Sequence, residues 1–78
     1  MSKKIRNLQD ILDILSIALA RKKASIKFLT YGYEKAASED LKKTFSLIIE
    51  QEKNHEEILR AKFQQVKEEI ELEKSKRT

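Results

Sequence analysis

Ala36-Ala37-Ser38-Glu39-Asp40-Leu41 marks the point in this 78-residue chain where one long helical pattern gives way to another. It holds no glycine or proline, yet it reads as a helix start. A serine side chain can accept from the free amides of the first turn, and the two acids after it complement the helix dipole. So short a connection between two long helices forces them antiparallel, which predicts an all-α helical hairpin. The predicted elements form a single domain, 1–78: a helix over about 8–37, a tight turn near 38 and a helix over about 39–74.

Upstream of the break, Leu8, Leu12, Leu15, Leu19, Lys22, Ile26, Leu29, Tyr33 and Ala36 recur in steps of four and three. Ile11, Ile14, Ala18, Ser25 and Phe28 widen that face, as a bundle helix requires. Asn7 is the predicted N-cap, with Asp10 in the first turn. Downstream, the same steps give Leu41, Phe45, Ile48, Glu52, His55, Leu59, Phe63, Val66 and Ile70. A carboxylate and an imidazole thus interrupt an apolar seam, where polar groups need partners. If the hairpin turns near Ser38, Lys22 lies level with Asn54, between Glu52 and His55. Lys22, Glu52 and His55 are therefore the predicted polar heart of the fold.

Composition limits the possible functions. Charged residues are 38% and hydrophobic ones 40%, with one glycine (Gly32), no proline and no cysteine, which suits helices and leaves no disulfide or thiolate metal site. No apolar run approaches the roughly 20 residues of a membrane span, and the start, Met1-Ser2-Lys3-Lys4-Ile5-Arg6, lacks the apolar core of an export signal. The expected location is the cytoplasm. The net charge of +4 is gathered in separate clusters, Lys3-Lys4-Arg6, Arg21-Lys22-Lys23 and Lys74-Ser75-Lys76-Arg77, rather than in one basic face, which argues against nucleic acid. Ser25, Thr30, Ser38 and Ser46 have only one histidine to share, and no glycine-rich loop is present, so hydrolase and nucleotide-binding readings fall away. Tyr31 and Tyr33 are read as packing residues.

Ala18-Leu19-Ala20-Arg21-Lys22, Ile26, Phe28, Glu34-Lys35-Ala36-Ala37, Leu41-Lys42-Lys43, Phe45 and Glu50-Gln51-Glu52-Lys53-Asn54-His55 together resemble the helix pair of rubrerythrin-type, ferritin-like proteins, over about residues 8–65. The resemblance implies a half-length, two-helix version of that fold. In the family each helix pair gives one glutamate from its first helix and a Glu-x-x-His from its second, and two pairs enclose a di-iron centre. Glu52 and His55 match the Glu-x-x-His. Lys22 stands where the first-helix glutamate is expected, and a shift of one residue gives Arg21 or Lys23. Leu29 stands where many relatives have tyrosine. A protonated amine offers a metal no lone pair and repels a divalent cation.

The expectation is accordingly a homodimer of hairpins forming a four-helix bundle, since two helices cannot cover both of each other's apolar faces. At its centre, the ammonium of Lys22 takes the place of iron in a Lys-Glu-His network, with no enzymatic activity and no cofactor. The alternative is a reduced metalloprotein whose Glu52 and His55 hold iron or zinc, acting as an iron-dependent oxidase or peroxidase or in iron handling. A third reading is an adaptor that docks a protein partner on its charged ends.

Overall fold

A computed structural model describes residues 2–76 as two α-helices, α1 (Lys3–Lys35) and α2 (Glu39–Ser75), packed antiparallel along their whole length in a rod of 61 × 14 × 12 Å. Among the described residues no helix is long and apolar enough to cross a membrane. The α1 start differs from the sequence expectation. Ser2, not Asn7, is the N-cap, its side-chain oxygen accepting from the Ile5 amide at 3.1 Å. The helix gains a turn because Ile5 belongs to the apolar stripe and buries itself, with Leu8, near Ile70 at the open end of the hairpin.

The turn is built as its residues dictate. The Ala36 amide closes α1 by donating to the carbonyls of Gly32 and Tyr33, at 3.0 and 3.3 Å. Ser38 caps α2, accepting from the Leu41 amide at 3.1 Å, and Glu39 and Asp40 fill the first turn. Lys42 then reaches back across the break. Its Nζ donates to the Tyr33 carbonyl at 3.3 Å and lies 4.8 Å from the centre of the Tyr33 ring, placing positive charge where the α1 dipole is negative.

Inside the hairpin, α1 follows the predicted stripe except at Tyr33, which is exposed while Gly32 is half-buried, and α2 is rotated slightly from it. Phe45, Glu52, Leu59, Phe63, Val66 and Ile70 do face the seam, but Lys42, Ile49 and Glu56 are half-buried in place of Leu41, Ile48 and His55. The doublet Ile48-Ile49 explains the difference. A step of three or of four from Phe45 lands on isoleucine either way, so hydrophobicity alone cannot choose between the two flanks. Gly32 is a contact site: a Cβ added there would stand 2.6 Å from Cε1 of Phe45, so the ring packs directly on the α1 backbone.

The open end is fastened by charge. The Lys4 ammonium lies 2.9 Å and the Lys76 ammonium 3.3 Å from the Glu73 carboxylate, and their hydrogen bonds hold Glu73 below its ordinary range while Glu73 raises Lys4. Only Ile5, Leu8 and Ile70 are buried among the described residues, however, and the apolar seam through the long middle of the rod is no more than half-buried. That deficit recurs at the site.

Two outcomes are expected. Gly32→Ala gains up to about 1 kcal/mol of helix propensity but overpacks Phe45 at about 1–3 kcal/mol, for a net loss of about 1 kcal/mol in thermal or urea unfolding. Phe45→Leu should relieve that loss, which a double-mutant cycle would detect. The clasp contributes stability above the ordinary carboxylate pKa and loses it as pH falls through the lowered Glu73 pKa; at the alkaline end it is lost as pH rises through the raised Lys4 pKa. Carbon-detected NMR titration should therefore show Glu73 protonating below the ordinary glutamate range and losing part of that depression in Lys4→Met, with Lys76 still holding the rest.

Candidate functional site

Lys22 and Glu52 meet midway along the rod. Each sits in the seam of its helix, and the antiparallel register brings Lys22 Nζ to 2.5 Å from Glu52 Oε2 as a direct, charge-assisted hydrogen bond. Their side chains keep 27% and 20% of their exposure, so the pair forms the floor of an open groove rather than part of a closed core. The groove measures about 550 Å³ and is lined by Ile14, Ala18, Arg21, Ser25 and Leu59 around the pair, with Ile17 at its rim.

His55 is exposed, one turn from Glu52, and no hydrogen bond or ion pair to it is formed among the described residues. Its side of the rod follows from symmetry. An antiparallel helix pair has a local two-fold axis at right angles to the plane of the two helices, so equal offsets from the seam fall on the same side. Ala18 and Ser25 stand four before and three after Lys22, and both line the groove. Ile48 and His55 stand four before and three after Glu52. They therefore stand on the grooved side of the rod, though neither lines the groove itself, and His55 does not touch the ion pair. Glu56 takes the seam position instead, half-buried and 3.5 Å from Arg60 one turn on. The Glu56–Arg60 spacing of four was visible in the sequence as an intrahelical pair.

The two sides of the rod differ in character. The grooved side carries the exposed Ile14, Phe28 and Ile58, at 64%, 76% and 60%, together with Ile11, Leu41 and Ile48. The opposite side presents Ser16, Lys23, Lys53 and Arg60, which are exposed and polar. Tyr31 and Tyr33 are also exposed, each with a lysine ammonium over its ring, Lys35 at 5.5 Å and Lys42 at 4.8 Å. They stand toward the turn, away from the Lys22–Glu52 pair.

As a ligand set for metal the hairpin is incomplete. No group of three or more His, Cys, Asp or Glu side chains converges among the described residues. Glu52 and His55 are one carboxylate and one imidazole, while a di-iron site needs a further bridging carboxylate from the opposite helix. Lys22 occupies that place with a cation that satisfies the Glu52 oxygen itself. The donor set of this chain does not fit a di-iron centre.

A family model described as Rubrerythrin matches residues 2–78, essentially the whole sequence. No curated protein and no solved structure matches the chain. Two antiparallel helices with a Glu-x-x-His on the second, together with that full-length match, place the chain in the rubrerythrin family, as a half-length, ferritin-like helical hairpin.

Proposed function

We propose that this protein is a non-enzymatic, ferritin-like module in which two hairpins form a four-helix bundle and the di-iron centre has been replaced by a Lys22, Glu52 and His55 network. The observation that carries the reading is the 2.5 Å contact between the Lys22 ammonium and the Glu52 carboxylate. Where relatives balance carboxylates with metal, this chain balances one carboxylate with one tethered amine. Two copies then bring two Lys22, two Glu52 and two His55 together, with each ammonium matched by a carboxylate. The pairing matters because a charge enclosed in a bundle without its counterpart would cost several kcal/mol.

Dimerisation follows from the same exposure. A chain that buries only three of its described residues and leaves isoleucines and a phenylalanine exposed along one side has much apolar surface still to cover. A second copy on the groove would enclose the ion pair and bring His55 into it. Such a network fixes register and partner choice more than it adds stability.

One observation favours a second reading. His55 is uncommitted within the hairpin and flanks Glu52, so two copies offer two carboxylates and two imidazoles, a set that suits a single zinc or iron ion. Lys22 would have to swing aside. That reading makes the protein a reduced metalloprotein in iron or peroxide handling.

Lys22→Glu separates the two readings. If the bundle keeps the family's geometry, this variant gains two tightly bound iron ions per dimer, read by elemental analysis and by ultraviolet charge-transfer absorbance. Failure to bind iron in a folded dimer would show that the geometry has gone along with the ligand. Lys22→Met alone should lower stability by about 2 kcal/mol, because it strands the Glu52 charge, whereas Lys22→Met with Glu52→Gln should recover most of that loss.

A further inference from the structure

The mid-length groove is polarised along the rod. The register that sets residue 22 against residue 52 puts Leu59 level with residue 15 of α1. Ile14, Ile17 and Leu59 therefore gather at the end of the groove nearer the open end of the hairpin. Arg21, Ser25 and the Lys22–Glu52 pair gather at the other end, with Ala18 between the two groups. Ile14 and Arg21 stand two turns apart, roughly 10 Å along α1. One end of the groove suits a hydrocarbon and the other a charge.

The charge it suits is negative. Lys22 and Glu52 satisfy each other, which leaves Arg21 as the second cation of a groove that holds one carboxylate. No ion pair to Arg21 forms among the described residues. Its own helix offers it no counterpart either. The residues three and four positions away in each direction are Ile17, Ala18, Ala24 and Ser25, and none is acidic. Arg60, by contrast, has Glu56 one turn back at 3.5 Å.

We infer that the groove binds an amphipathic monocarboxylate, a free fatty acid of medium chain, with its carboxylate on the Arg21 guanidinium and its chain along Ile14, Ile17 and Leu59. The planar fork of an arginine takes both oxygens of a carboxylate at once, and the Ser25 hydroxyl at the same end is a further donor. A single negative charge cancels the surplus positive one. A neutral alcohol would leave the guanidinium unmatched, and an amine would repeat its charge. The groove volume of about 550 Å³ lies within the range of small-molecule sites, roughly 300–1,000 Å³. A ligand seated there takes up apolar surface that a second copy would cover, so the two occupants exclude each other and the fatty acid dissociates the dimer by mass action. That exclusion rests on the dimer reading above, whereas the binding rests on the groove alone.

The test is an NMR titration of the methyl-labelled protein with octanoate below its micelle concentration, followed by sedimentation equilibrium. One octanoate per chain should bind, with nuclear Overhauser contacts from its chain to the Ile14, Ile17 and Leu59 methyls and none to Leu47 or Leu72, which are exposed outside the groove. Affinity should rise about two- to fourfold per added methylene from hexanoate to decanoate, because full burial of a methylene corresponds to about fourfold. Arg21→Gln should weaken octanoate roughly tenfold, as loss of a charged hydrogen-bond partner does. Arg21→Glu should bind octylamine in preference to octanoate. Octanol binding as tightly as octanoate, or an unchanged octanoate affinity in folded Arg21→Gln, would overturn the inference. Contacts spread over Leu47 and Leu72 alike would overturn it too, as unspecific adsorption. Saturating octanoate should convert the dimer to monomers, and a dimer that stays intact with octanoate bound would overturn the exclusion. A dimer that binds no octanoate removes the inference and leaves the dimer reading standing. A monomer in the absence of octanoate removes the dimer reading, and the titration then decides the binding by itself.

Discussion

A lysine ammonium hydrogen-bonded to a glutamate carboxylate at mid-length, on the floor of an open groove between two helices, is the contact on which the rest of this structure turns. The seam around it is apolar, so each of the two charges depends on the other. Their height is also where the small and polar residues of the grooved side gather, with the large apolar residues set above and below. The ion pair thus divides the rod into two apolar halves and marks the level where a partner would be centred.

The energetics favour specificity over strength. A half-exposed ion pair contributes little by itself, about 0–1 kcal/mol, and an apolar pair of similar volume would hold the seam at least as well. What the charges supply is a penalty for error. A hairpin that slipped by one turn, or a partner that docked off-centre, would leave an ammonium or a carboxylate among isoleucines without its counterpart. The tight turn, the Lys42 bridge and the Lys4–Glu73–Lys76 clasp fix the two ends in the same register. Hydrophobic periodicity alone is too repetitive along these helices to select it.

Most of the fold was legible in the chain because its signals are local. Ser38 with Glu39 and Asp40 announces α2, and the four-three steps from Leu8 to Ala36 announce α1. The Lys22–Glu52 contact follows from the position of the turn. Two things were not legible. The start of α1 was placed at Asn7 because Asn7 caps as well as Ser2 does, and only the burial of Ile5 shows which one the helix uses. The inward side of α2 was misread by part of a turn, since Ile48 and Ile49 both satisfy an apolar seam, and the error carried His55 inward in place of Glu56. The misreading has a physical origin. Residues left exposed beside the seam are as apolar as those within it, and one sequence pattern carries both sets superimposed.

Membership in the rubrerythrin family fixes the ancestry of the scaffold, and the proposed function rests on Lys22 standing where the resemblance implies a glutamate. On the proposed reading, a Glu-x-x-His kept beside an amine in place of a carboxylate is an arrangement satisfied without metal. The most direct test is a calorimetric titration of iron(II), under anaerobic conditions, into the unsubstituted protein with its tag removed. The account predicts no heat of binding at micromolar protein; saturation at two iron ions per dimer would contradict it.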